Sequence, residues 1–173
     1  MNPGANKKHL TIVEMVLFGM LAALTFALQV VMGPLPNIEP VSLLVMLFAV
    51  TFGWKCLYPV YIFVVMEVLY YGINVWNIYY LYVWTVLAVA AIWMRKAENP
   101  FVWAILSGTF GLLFGALCGI VDVFIGGFSY AAAKWASGIP FDVTHCVGNF
   151  VIALVLFKPL RGLMAKLYAK VKR

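Results

Sequence analysis

Acids, an imidazole and amides stand in this chain where water is scarce. Asn37 and Glu39 lie in MGPLPNIEP (32–40), between three prolines and flanked by apolar runs. Glu67 interrupts VYIFVVMEVLYY, Asp122 interrupts GIVDVF, and Asp142, His145 and Asn149 follow one another in PFDVTHCVGNF. Such groups could hydrolyse a bond, pass a proton, hold a metal or bind a polar ligand. Hydrolysis lacks its motif: Ser107-Gly108 with His145 is a superficial match to an intramembrane serine protease, but residue 105 is isoleucine where GxSG needs glycine. Ser107 is also expected in the half of the membrane opposite His145. Paired acids, HxxxH and CxxC patterns are absent, so no metal ligand or catalytic residue is expected. No GxxxxGK[ST] loop is present, so any ATP hydrolysis would fall to a partner. An ion relay would spread polar groups through the full depth of a membrane. These converge on one end, the pattern of a ligand cavity open to one side.

The elements that must position them are membrane spans. The chain has 173 residues, 65% of them hydrophobic and 10% charged, with mean hydropathy +1.01. A soluble domain carries about 25% charged residues. Six apolar segments are expected, over 12–32, 41–52, 57–71, 78–94, 101–125 and 141–157, with a basic tail at 158–173. They are too continuous for barrel strands, which alternate at period two. The fold class is therefore an all-α membrane bundle of six helices in a single domain, 1–173. The first segment is too long for a cleavable signal and no small-residue cleavage site follows it. The second and third are short for a straight span of about 20 residues, which leaves them tilted, buried against neighbours, or joined in a tight hairpin through Gly53-Trp54-Lys55.

Placing both termini in the cytoplasm puts eleven of the twelve Lys and Arg residues inside and only Lys134 outside, as the positive-inside rule demands. The net charge of +6 is thus a topology signal and not a nucleic-acid footprint. The stretch 161–173 reads as an amphipathic helix resting on anionic headgroups. Glu14 and Glu98 fall at the cytoplasmic edge, where local pairing with Lys or Arg accounts for them. Asn37, Glu39, Glu67, Asn74, Asn77, Asp122, Lys134, Asp142, His145 and Asn149 fall toward the outside. For Asn37, Asn77 and Asp142 an interfacial residue reaching water and a ligand contact are equally good readings. Glu67, Asp122 and Asn149 lie deeper, where an ionisable or amide group is expensive and usually faces a cavity. Cys56, Cys118 and Cys146 are scattered and read as small packing residues.

Aromatic residues crowd the same end. YYGINVWNIYYLYVW (70–84) holds seven Tyr or Trp residues around two asparagines. Interfacial belts explain some of them, but the cytoplasmic side is thinner in aromatics. The surplus suits a pocket that stacks a planar or bulky organic ligand between rings. Prolines 34, 36 and 40 would present Asn37 and Glu39 in a fixed pose, lowering the entropy lost on capture. The glycine-rich stretch 126–140 reads as a mobile outer loop and possible lid. Gly19, Ala23 and Ala27 form a small-xxx-small stripe on the first helix, widened by Ala22, which lets another helix approach closely. The glycines at 108, 111, 115 and 119 read as internal packing.

With these features the chain resembles, over essentially its whole length, the substrate-binding S component of an energy-coupling factor (ECF) vitamin transporter. PNIEPVSLLVMLFAVTFG and GIPFDVTHCVGNFVIALVLFKPL look like stretches of S components from Firmicutes-type bacteria. The stripe resembles the alanine-spaced motif by which such proteins dock, although it begins with glycine. The resemblance implies a multi-pass protein of the bacterial plasma membrane that captures a vitamin or cofactor precursor from outside. It implies docking through Gly19, Ala23 and Ala27 on a transmembrane T component, which works with two cytoplasmic ATPases. It also implies toppling of the S component to release substrate inside. By region, ligand contacts are expected from Asn37, Glu39, Glu67, Trp76, Asn77, Tyr80, Trp84, Asp122, Trp135, His145 and Asn149. Four acids against Lys134 on the outer side argue against a polyanion. General similarity leans to cobalamin or a related corrinoid, then to a cationic ring such as thiamine. No resident cofactor is expected. The rival readings are a stand-alone ion-coupled secondary transporter, which would need a mid-membrane polar residue in each repeat half, and an assembly subunit, which would need no pocket.

Overall fold

A computed structural model of the chain describes residues 10–35 and 38–171. Among the described residues every regular element is helical. The elements are α1 (Ile12–Met32), α2 (Val41–Phe52), a single 3-10 turn (Gly53–Cys56), α3 (Leu57–Tyr71), α4 (Val75–Trp93) and α5 (Pro100–Val171).

Each boundary has a local chemical cause. Thr11 and Glu14 close a reciprocal capping box at the start of α1, satisfying backbone donors that the first turn leaves free. Gly53 and Gly72 adopt positive φ (59° and 81°) directly after α2 and α3, a conformation that ends a helix and favours glycine. Asn74 caps α4, and its own backbone N–H donates to the Asn77 side chain, so α4 begins a turn before the expected residue 78. Pro100 suits the first turn of α5, where its missing N–H is harmless.

The long element α5 is two arms. Gly127 breaks it with φ 80° and ψ 176°, and the chain then returns along its own path. Trp103 stacks on Phe157 at 4.3 Å, Asn149 approaches the Ser107 carbonyl, and the Gly115 N–H donates to Asp142 Oδ1 at 3.1 Å. The arms sit close because glycines line the seam. A Cβ at Gly111 would come within 2.8 Å of the His145 carbonyl, and one at Gly108 within 3.3 Å of the Cys146 oxygen. This bears out internal packing for Gly108, Gly111 and Gly115, whereas Gly119 faces open space. The stretch 126–140, expected as a mobile loop, is instead helical on both sides of the single reversal at Gly127. The helix also continues through Pro140 and Pro159 and past 157 to Val171, so the sixth apolar segment and the basic tail form one arm.

The core runs through α2, nine of whose twelve residues are buried, between α4 and α5 on one side and the α1–α3 pair on the other. Outward faces are apolar: Val16, Met20 and Leu24 on α1, Val65 and Leu69 on α3, Val147, Val151 and Val155 on α5. Apolar exposure on this scale marks a surface not meant for water. Among the described residues four helical runs are long and apolar enough to cross a membrane: Ile12–Met32, Val41–Tyr71, Val75–Trp93 and Pro100–Val171. The chain has the build of an integral membrane protein.

Candidate binding site

Polar groups sort to the two ends of this bundle. At the end holding the start of α1, Glu14 accepts from Lys55 Nζ at 2.7 Å and from the Tyr168 hydroxyl at 2.9 Å. Arg161 donates to the carbonyls of Ala97 and Arg95. The basic second arm of α5 is thereby tied to α1, to the turn after α2 and to the α4–α5 connection. The pairing expected for Glu14 is present, and it is buried.

The opposite end holds the candidate site. Glu39 precedes α2 and accepts from the backbone N–H groups of Val41 and Ser42, neutralising donors that a helix start leaves unpaired. The Ser42 hydroxyl donates to Glu39 Oε1 at 2.7 Å, and His145 Nε2 lies 3.2 Å from the same oxygen. One turn beyond His145, Asn149 Nδ2 donates to Ser42 Oγ at 3.0 Å. A single network therefore joins the segment before α2 to the second arm of α5, across 106 residues of sequence.

This network borders a cavity of about 180 Å³ lined by Gln29, Met32, Gly33, Leu35, Ile38, Glu39, Tyr80, Trp84, Phe114 and His145. Its walls are aromatic. Tyr80 and Trp84 meet edge to face at 5.2 Å, Phe114 lies 6.0 Å from Trp84, and the His145 ring lies 5.1 Å from Phe114. Trp76 supports Tyr80 from behind at 5.1 Å, and Phe63 packs against both Tyr80 and Trp84. Trp84 is 2% exposed, yet its Nε1 has no hydrogen-bond partner among the described residues. Neither has Oε1 of Glu67, 1% exposed. Buried polar groups are nearly always paired; of these two residues Trp84 lines the cavity and Glu67 does not, so the indole N–H is the donor a ligand there could serve.

Expected residues divide accordingly. Glu39, Tyr80, Trp84 and His145 line the cavity, Trp76 backs it, and Asn149 reaches it through Ser42. Asp122 does not belong to it. Its carboxylate accepts from Lys134 Nζ at 2.7 Å and from the Tyr79 hydroxyl, tying α4 to both arms of α5. Asn77 serves the cap of α4, and Trp135 stands at a separate groove with Gly119, Val123 and Phe128. Asn37 lies outside the described residues. Gln29 and Ser42 are site residues that the spacing of acids and aromatics did not disclose. A lone amide in the apolar run of α1 was the signal for Gln29. A larger groove of about 680 Å³ follows the outer face of α3 past Trp54, Tyr58, Val65 and Leu69. It is apolar and exposed, a face for acyl chains rather than a site for a polar ligand.

On α1, Gly19, Ala23 and Ala27 face outward; a Cβ at Gly19 would touch nothing within 4 Å. Ala22 is fully buried and does not widen that face. No family model, curated protein or solved structure matches this chain.

Proposed function

We propose that this chain is the substrate-binding membrane subunit of an ATP-driven importer of the ECF type, taking a vitamin or cofactor precursor from outside the bacterial plasma membrane. In this reading it spans the membrane six times, the turn at Gly53–Cys56 and the reversal at Gly127 each dividing one apolar run in two. Both termini lie in the cytoplasm. The observation that carries the reading is the cavity at the end remote from the basic residues. It is walled by Tyr80, Trp84 and Phe114, floored by Glu39 and His145, and left with an unserved buried indole N–H. An assembly subunit would have no use for such a site. At the end expected in the cytoplasm, Glu14, Lys55, Tyr168 and Arg161 tie the helices to one another.

The partners in this reading are a transmembrane T component, met by the outward stripe Gly19, Ala23 and Ala27, and two cytoplasmic ATPases. The chain itself is not an enzyme and carries no resident cofactor. The test is affinity purification from gently solubilised source membranes followed by native mass spectrometry. A complex with a membrane partner and two ATPases, together with a retained vitamin-sized mass, is the expected result. Ion-driven uptake by the purified chain alone in proteoliposomes would replace this reading with that of a stand-alone secondary transporter.

A further inference from the structure

We infer that the cavity takes a compact organic cation: a flat nitrogen heterocycle carrying a positive charge and a hydrogen-bond acceptor. The inference rests on the cavity being the binding site and adds the class of its ligand.

Charge is the first argument. Glu39 lines the cavity, and among the described residues no Lys or Arg does. Lys134, the cation nearest in sequence to His145, is already held by Asp122 and Tyr79. The imidazole of His145 faces Glu39. Glu39 is the acid on that lining, and although Val41, Ser42 and His145 already serve its oxygens, its charge favours an entering cation over an anion.

The walls make the second argument. Tyr80, Trp84 and Phe114 present three ring systems around a small volume, with neighbouring centroids 5.2 and 6.0 Å apart. Ring faces carry negative potential, so an aromatic enclosure favours a cation over a neutral molecule of the same shape. The third argument is the indole of Trp84. Trp84 lines the cavity and its buried N–H has no partner among the described residues, so a bound molecule that brings an acceptor within its reach is favoured. Size is the fourth. At about 180 Å³ the cavity is below the range of roughly 300–1,000 Å³ usual for drug-sized ligands. A single ring system suits it, and a macrocycle such as a corrinoid does not.

A matched set of probes on one ring decides the class. The full chain in lipid nanodiscs is titrated calorimetrically with 1-methylnicotinamide (cation), nicotinamide (neutral) and nicotinate (anion). The cation is expected to bind at least tenfold more tightly than either relative. Trp84→Phe, which keeps the ring and removes the N–H, is expected to weaken it about tenfold, and Glu39→Gln to remove most of the preference for positive charge. Equal or tighter binding of the neutral or anionic probe overturns the cation class, and if that binding still responds to Trp84→Phe the cavity stands as a site of another class. Binding by none of the three overturns the class. A bound mass found by native spectrometry and unaffected by Trp84→Phe or Glu39→Gln would instead place the ligand elsewhere and remove the cavity reading itself.

Discussion

At the scale of single residues, burial and partnership separate binding groups from bracing groups. Asp122 and Glu67 are both almost fully buried acids, but Asp122 has two donors and Glu67 has an oxygen with none. Asp122→Asn should therefore act on stability. It removes a charge-assisted hydrogen bond, a loss of about 1.5–3 kcal/mol, tempered because Lys134 is well exposed and can turn to water. Thermal unfolding in detergent should fall by several degrees while ligand affinity stays within twofold. A large affinity loss at unchanged stability would return Asp122 to the binding site. This distinction was not legible in the sequence. Asp122 and Lys134 are twelve residues apart, and only the fold-back at Gly127 brings them together. Glu39, Tyr80, Trp84 and His145 were legible, because depth and a surplus of aromatics marked one end of the bundle. Ser42 was not, since a hydroxyl in a helix usually bonds its own backbone, and here it bridges Glu39 and Asn149 instead.

At the scale of elements, the site depends on how closely the two arms of α5 approach. Gly111 lies against the carbonyl of His145, and Gly115 against Asp142, so their missing side chains set the position of the second arm. Gly111→Ala would press a methyl group into backbone that cannot swing aside. Overpacking of this kind costs about 1–3 kcal/mol, and the displacement of His145 should also cut ligand affinity severalfold. Gly119→Ala, about two turns further along the same arm and in open space, should leave both unchanged. Matched unfolding and binding curves for the two variants check this; equal effects would mean the arms do not meet as described. The start of α4 after Asn74 was missed by a turn, whereas Gly33, Gly53 and Gly72 punctuate the chain where α1, α2 and α3 end as expected. The stretch 126–140 misled for the same reason. Its glycines suggested a loop, but the reversal needs only Gly127, and the run SYAAAKWAS beyond it holds good helix formers. A lid, if the cavity has one, has to be sought elsewhere than in this helical arm.

At the scale of the molecule, two surfaces ask for different occupants. The apolar flank of α3 offers large side chains, Trp54, Tyr58, Val65 and Leu69, a rough surface suited to lipid. The stripe on α1 is smooth: Gly19, Ala23 and Ala27 recur every fourth residue, Ala23 and Ala27 are exposed, and a Cβ at Gly19 would meet nothing within 4 Å among the described residues. Helices in lipid gain little by hiding apolar side chains, so association rests on backbones approaching closely across small residues. A leucine placed there would leave the isolated protein untouched, because it meets no neighbour within the chain. It would hold a partner helix away. Ala23→Leu and Ala27→Leu should therefore unfold at the wild-type temperature and bind ligand with wild-type affinity, yet abolish uptake by cells that supply the other subunits. Copurification of the membrane partner should be lost in parallel. If affinity falls as far as uptake does, the stripe serves the fold and not a partner, and the importer reading loses its docking surface. Should uptake survive, the chain works without that contact, and a transporter acting alone becomes the better account of the cavity between Glu39 and Trp84.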